Sequence, residues 1–126
     1  MRLLLDTHVF IWAMGQVERL PDYVSDAIGD PDNEVWLSAA SIYEIEYKRE
    51  RDPLLRRLPG DLIPAADALP AEWLPINPRH ALTAARLDRV HKDPWDRLIA
   101  AQAMVEGLIV VSVDPAMKAF GMETLW

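Results

Sequence analysis

Short apolar runs that each stop at a polar residue alternate with longer helix-patterned segments along the whole chain. RLLLD (2–6) and EVWLS (34–38) have strand character, LIVVSVD (108–114) is the clearest buried strand, WLPI (73–76) is a brief extended piece, and ETLW (123–126) can form a last strand. VFIWAM (9–14) has helix-like apolar density, and PDYVSDAIGDPD (21–32) reads as a short helix closed by turn residues. SIYEIEYKRER (41–51) carries Ile42, Ile45 and Tyr43, Tyr47 at three- and four-residue spacings, whereas Pro64 interrupts GDLIPAADAL (60–69). RHALTAARLDRV (79–90) is alanine-rich and helical. PWDRLIAAQAMVEG (94–107) places Trp95, Leu98, Ile99 and Ala103 on one side and ends at Gly107. Strands separated by helices are joined by crossovers, so the pattern predicts an α/β fold: helices flanking a mostly parallel central sheet.

The chain has 126 residues, 51% of them hydrophobic, which suits one domain over 1–126 with a real core. It contains no internal repeat, low-complexity segment or long linker. No apolar run approaches the roughly 18 residues of a membrane span, and Asp6 follows three leucines too early for a signal peptide. A cytoplasmic protein with no membrane association is expected. Cysteine is absent, so disulfides and thiolate metal sites are excluded, and any metal must use oxygen or imidazole.

The acids carry the functional information. In a parallel sheet all carboxyl ends of the strands lie at one edge, where open α/β folds bind ligands. Asp6 closes the first strand and Asp114 ends LIVVSVD. Glu44 sits one to two turns into the helix after EVWLS, and Asp96 lies in the first turn of the helix before LIVVSVD. Each has a structural reading too. Asp6 can cap a helix starting near His8, Asp114 one started by Pro115, and Ser41 to Glu44 has capping-box spacing. Asp93, followed by Pro94, suits an N-cap. Yet capping is served equally by Ser, Thr or Asn and does not require charge repeatedly at one edge. Clustered carboxylates repel, and a divalent cation removes that cost. Hard oxygen donors select Mg²⁺ or Mn²⁺ and suit phosphodiester chemistry, of which hydrolysis is the simplest form.

Net charge is −7, with nine acidic and two basic residues in 1–46 and eleven of each in 47–126. Lys48, Arg49, Arg51, Arg56 and Arg57 cluster in YKRERDPLLRR, interleaved with Glu50 and Asp52. Such a run is either a solvated helix face or a polyanion contact.

LLLDTHVFIWA, LSAASIYEIEYK, LPINPRHALTAARLDRVHKDPWDRLIAAQA and LIVVSVDPAMKAFG together resemble the PIN-domain family, and within it the bacterial VapC-like ribonuclease toxins. The resemblance covers nearly the whole chain and carries the ordered set Asp6, Glu44, Asp96 and Asp114, the last two 18 residues apart. It implies that Asp6 and Asp96 are central metal ligands and that Asp114 completes the acidic pocket. Glu44 would hold metal through water or act as general base. Asp93 would support or cap, while Thr7 and Ser112 would hydrogen-bond water or carboxylate beside the pocket. The implied activity is Mg²⁺- or Mn²⁺-dependent endonucleolytic cleavage of RNA by water, leaving 5′-phosphate and 3′-hydroxyl ends. The implied partners are a cognate antitoxin, whose C-terminal segment blocks the pocket, often with an arginine, and a second copy of the chain in a homodimer.

The rim formed by Asp22, Asp26, Asp30, Asp32 and Glu34 disfavours a polyanion, so RNA is expected to approach from the 47–57 side or across a dimer groove. His8, His80 and His91 lack a two-histidine helical spacing and are read as caps or partly buried polar groups, with no metal role. Trp12, Trp36 and Trp95 fall in apolar periodic segments and are read as core; Trp73 and Trp126 stay open. A dehalogenase-like phosphatase would need an aspartate where His8 stands, and a receiver-like domain would need an early acidic pair. A PIN-like scaffold that binds without cutting, and a DNA-directed nuclease, are the remaining alternatives.

Overall fold

The computed structural model describes residues 1–126. Strands β1 (Arg2–Leu5), β2 (Glu34–Ser38), β3 (Glu72–Leu74), β4 (Ile109–Val111) and β5 (Thr124–Leu125) form one sheet in the order β3-β2-β1-β4-β5. Every neighbouring pair is parallel, with Leu3 opposite Val35 on one side and Ile109 on the other. The expected α/β architecture therefore forms, with no antiparallel strand in the sheet. The helices are α1 (Thr7–Gly15), α2 (Asp22–Gly29), α3 (Ala39–Lys48), α4 (Leu62–Ala66), α5 (Pro78–Arg86), α6 (Pro94–Glu106) and α7 (Pro115–Ala119). No helix is long and apolar enough to cross a membrane.

β1 is covered on both faces, which explains its unbroken leucine run. Leu3 and Leu5 join Val9, Phe10, Val24 and Ile45 on one side, while Leu4 joins Ile99, Ala100, Val110 and Met117 on the other. All three leucines are fully buried, each contributing on the order of 1.5–3 kcal/mol of burial. The chain leaves β1 for β2 and β3 on one flank and then returns to place β4 and β5 on the other. The connections thus reverse direction between β1 and β4, and a crevice opens at their carboxyl ends.

Several helix ends differ from the sequence expectation. α3 starts at Ala39 with Ser38 as its cap, the Ser38 hydroxyl accepting from the Ala40 N–H at 3.0 Å. Ser41 and Glu44 lie inside the helix, so they do not form a capping box. α5 stops at Arg86, not Val90, because the Arg97 guanidinium takes the carbonyls of Ala84, Leu87, Asp88 and His91 at 2.7–2.9 Å. Pro64 is accommodated in the first turn of α4, where its missing N–H is not needed. Gly107 ends α6 at φ 67°, a left-handed conformation open to glycine. Trp12, Trp36 and Trp95 pack against the two core clusters from their margins and are only half-buried, and so are Trp73 and Trp126.

Candidate active site

Asp6 follows β1 at the crevice and is the N-cap of α1, as its capping reading expects. One carboxylate oxygen accepts from the Thr7 N–H at 2.7 Å and the other from the Ser112 hydroxyl at 2.6 Å. Ser112 lies just past β4 and accepts from the Asp114 N–H at 3.0 Å. Asp114 in turn caps α7 through the Ala116 N–H at 2.9 Å. Thr7 Oγ1 and Ser41 Oγ are 2.9 Å apart, joining the first turns of α1 and α3. Asp6, Thr7, Ser41 and Ser112 are all buried. Burial pushes the Asp6 carboxyl above its ordinary range against the pull of its Ser112 and Thr7 hydrogen bonds.

Asp93 caps α6, accepting from the N–H groups of Trp95 and Asp96 at 2.9 and 3.0 Å. That cap fixes the first turn of α6 and with it the direction of Asp96. Burial first, and then the fields of Asp93, Asp6 and Glu44, push Asp96 up to about 6 against the pull of a hydrogen bond from His91. These influences on Asp96 show the carboxylates to be electrostatic neighbours, the condition that a divalent cation relieves.

Glu44 projects from α3 and is 5% exposed. Its Oε2 is held by Lys48 Nζ at 2.6 Å, one helical turn on, while its Oε1 is buried with no hydrogen-bond partner. An orphaned buried carboxylate oxygen is costly, and a cation beside it would satisfy it. This atom, with Asp6 and Asp96 close enough for their charges to act on one another, suits a hard divalent ion. A cavity of about 430 Å³ adjoins Glu44, lined by Thr7, His8, Arg19, Lys48 and Asp52 among others.

Sequence reasoning missed two cationic groups here. His91, given no metal role above, places Nε2 2.8 Å from Asp96 Oδ2. His91, Asp96 and Asp114 offer ligand atoms that all lie within 4.8 Å of one another. The segment holding His91 is not helical, so no helical spacing could have linked it to Asp96. Lys48, grouped above with the basic run, turns its ammonium onto Glu44 and lies 5.1 Å from the Trp95 ring centroid. Burial works against the Lys48 charge, but the hydrogen bond and field of Glu44 outweigh it and raise its pKa. The i,i+4 spacing was the available signal.

The rest of the basic run divides. Arg49 is spent on the fold: it donates to the carbonyls of Leu55, Leu58 and Pro59 and pairs with Glu46 at 2.7 Å. Arg56 donates to the Glu50 carbonyl, whereas Arg51 and Arg57 are exposed. Of the acidic rim, Asp30, Asp32 and Glu34 lie at the amino end of β2. They are therefore at the sheet edge opposite the crevice.

The family model for the PIN domain matches residues 3–121. Ribonuclease VapC22 of Mycobacterium tuberculosis is 30% identical over 118 residues, covering 93% of this chain and 90% of that protein. Among solved structures, VapBC2 from Rickettsia felis bound to a promoter DNA fragment is similar at a TM-score of 0.71 and 17% identity, with 100% of this chain and 98% of that one covered. DNA-bound VapBC from Salmonella typhimurium is similar at a TM-score of 0.71 and 16% identity, with 100% and 97% covered.

Proposed function

The chain belongs to the PIN-domain family, and from that premise we propose that it is a divalent-metal-dependent endoribonuclease, the toxin of a type II toxin–antitoxin pair, acting as one domain over 1–126. The observation that carries the chemistry is the unpartnered, buried Glu44 Oε1, on a carboxylate whose charge acts on both Asp6 and Asp96. The curated relative that is named a ribonuclease supports RNA as substrate, and the VapBC complexes support a cognate antitoxin as partner. A homodimer is part of the same reading.

Asp6, Asp96 and Asp114 would hold Mg²⁺ or Mn²⁺, with Glu44 contributing directly or through water. When bound, such an ion supplies positive charge to the phosphodiester and acidifies water. The chain's own groups do the rest. The Thr7 N–H and Ser112 hydroxyl lock the Asp6 carboxylate in one orientation, so no reorganisation is needed as charge develops. Glu44 Oε1 is the available proton acceptor, and Lys48 holds the other oxygen of that carboxylate at 2.6 Å. Lys48, near Glu44 and half-buried, is also placed to meet a phosphate. Arg51 and Arg57, with Arg56, face solvent on the flank where RNA would arrive.

The test is incubation of purified, antitoxin-free protein with total cellular RNA and Mg²⁺ or Mn²⁺, beside EDTA and Asp96→Asn controls. Discrete fragments with 5′-phosphates that vanish in both controls are expected. A folded protein that binds metal and leaves RNA intact would move the assignment to DNA or to a binding role.

A further inference from the structure

The segment between α5 and α6 delivers a ring nitrogen to the carboxylate cluster, and His91 is held at its backbone once and at its ring twice. The Arg97 guanidinium donates to the His91 carbonyl at 2.8 Å. The imidazole packs edge-on to Phe120 with ring centroids 5.6 Å apart and planes at 72°. Its Nε2 meets Asp96 Oδ2 at 2.8 Å. A plain Asp–His hydrogen bond accounts for that last pair alone. It does not account for Asp114, whose carboxylate oxygen completes a set of three ligand atoms within 4.8 Å of each other, contributed by the α5–α6 segment, α6 and the loop after β4.

We propose that His91 is a nitrogen ligand of the divalent cation held by Asp96 and Asp114, and that this mixed donor set favours Mn²⁺ over Mg²⁺. The inference rests on the metal-dependent reading above. The buried, unpartnered Glu44 Oε1 is independent of His91, and the Glu44 charge reaches Asp96, so a cation at Asp96 would relieve it as well. Neighbouring ligands on a six-coordinate ion with bonds of about 2.1 Å stand roughly 3 Å apart. The separation of His91 Nε2 from Asp96 Oδ2 suits such a pair. Imidazole is a poor partner for Mg²⁺, which prefers oxygen and retains its waters, and binds first-row transition ions better. Phe120 and Arg97 fix the ring before any ion arrives, so little ordering entropy opposes ligation. His8 is the other imidazole in this region; it is exposed and lies outside the three-residue set.

The experiment uses the full-length, antitoxin-free protein, stripped of metal and loaded with Mn²⁺. Pulsed electron paramagnetic resonance reads nitrogen bound to the ion directly. The wild-type protein should show ¹⁴N modulation that persists in His8→Ala and disappears in His91→Ala. Calorimetric titration should show Mn²⁺ affinity falling at least about 10-fold in both His91→Ala and His91→Gln, the lower bound for losing even an outer partner. Mg²⁺ affinity should change much less. His91→Gln can still hydrogen-bond Asp96, so restored Mn²⁺ affinity in that variant would make His91 an orienting residue only and overturn the proposal. Mn²⁺ binding without ¹⁴N modulation, yet abolished by Asp96→Asn, would also overturn it while leaving the carboxylate site intact. Failure of the wild-type protein to bind either ion would remove both readings.

Discussion

The Ser38 hydroxyl donates to Gln102 Oε1 at 2.5 Å, with both residues fully buried, and so ties the end of β2 to the middle of α6. Gln102 Nε2 reaches the carbonyls of Leu74 and Pro75, both at 3.3 Å, extending the tie to the end of β3. α6 is the helix that carries Asp96, so this amide sets its placement over the sheet. Replacing Gln102 with Leu keeps the volume but leaves the buried Ser38 hydroxyl without its acceptor and removes the contacts to the Leu74 and Pro75 carbonyls. A loss of about 2–3 kcal/mol is expected. Urea unfolding should show it as a lower midpoint with an unchanged slope.

Asp96 and His91 make metal-free stability depend on pH. Burial, with the nearby acids, raises Asp96 from its ordinary 3.8 to about 6, and the Asp96 hydrogen bond raises His91 above 6.5. Both groups bind protons more tightly in the folded chain. Their stabilisation is fully present below about pH 4 for Asp96 and below about pH 6.5 for His91, and it is lost as pH rises through each raised value. In EDTA, wild type should therefore lose thermal stability relative to Asp96→Asn between pH 5 and pH 8. A melting-temperature difference that is flat across that range would show that this pair does not titrate as described.

Much of this arrangement was legible in residue order. The β1 leucines and LIVVSVD announced buried parallel strands, and the acids after them had to lie at one edge once the sheet was parallel. Asp93 and Asp114 cap helices as their following prolines suggested. The rest was not legible because it depends on long-range contacts to backbone carbonyls. Arg97 ends α5 from a different helix, and Arg49 folds the 55–59 loop beneath it. Neither contact has a sequence period. His91 was hidden for the same reason, since only the path of the 87–93 segment brings its ring to Asp96.

Glu44→Gln preserves shape while removing the proton acceptor and the counter-charge of Lys48. Cleavage should fall by about 10²–10⁴-fold, the usual contribution of a general base. The melting temperature should stay within a few degrees, because the repulsion that Glu44 adds at Asp6 and Asp96 is also removed. Single-turnover cleavage with excess enzyme separates this loss from weaker RNA binding. Retention of most activity would strip Glu44 of that role.

Charge reversal along 49–57 should have two distinct outcomes. Arg49→Glu breaks three carbonyl contacts and should lower the unfolding midpoint whatever happens to RNA. Arg51→Glu and Arg57→Glu change exposed side chains and should leave the fold intact. If RNA crosses this flank, each should weaken binding of a catalytically silenced Asp96→Asn background and reduce the salt slope by about one. Unchanged salt slopes in both would place the RNA elsewhere.

Arg97 adjoins Asp96 in sequence, yet its effect reaches the site through the backbone. Its guanidinium holds Ala84, Leu87, Asp88 and His91 by their carbonyls, ending α5 and shaping the turn that leads to Asp93. Lysine cannot replace this fork, because one ammonium cannot span four acceptors with planar geometry. Arg97→Lys should cost about 2 kcal/mol, in the range of charge-assisted hydrogen bonds. It should also free residues 87–92, seen as faster amide hydrogen exchange there and little change in β1 and β4, which are held by the core. Because the His91 ring depends on that segment, its nitrogen should lose its fixed approach to Asp96. Metal affinity should therefore drop together with the local protection, whereas a variant that changed exchange in 87–92 but left metal binding untouched would uncouple the segment from the site.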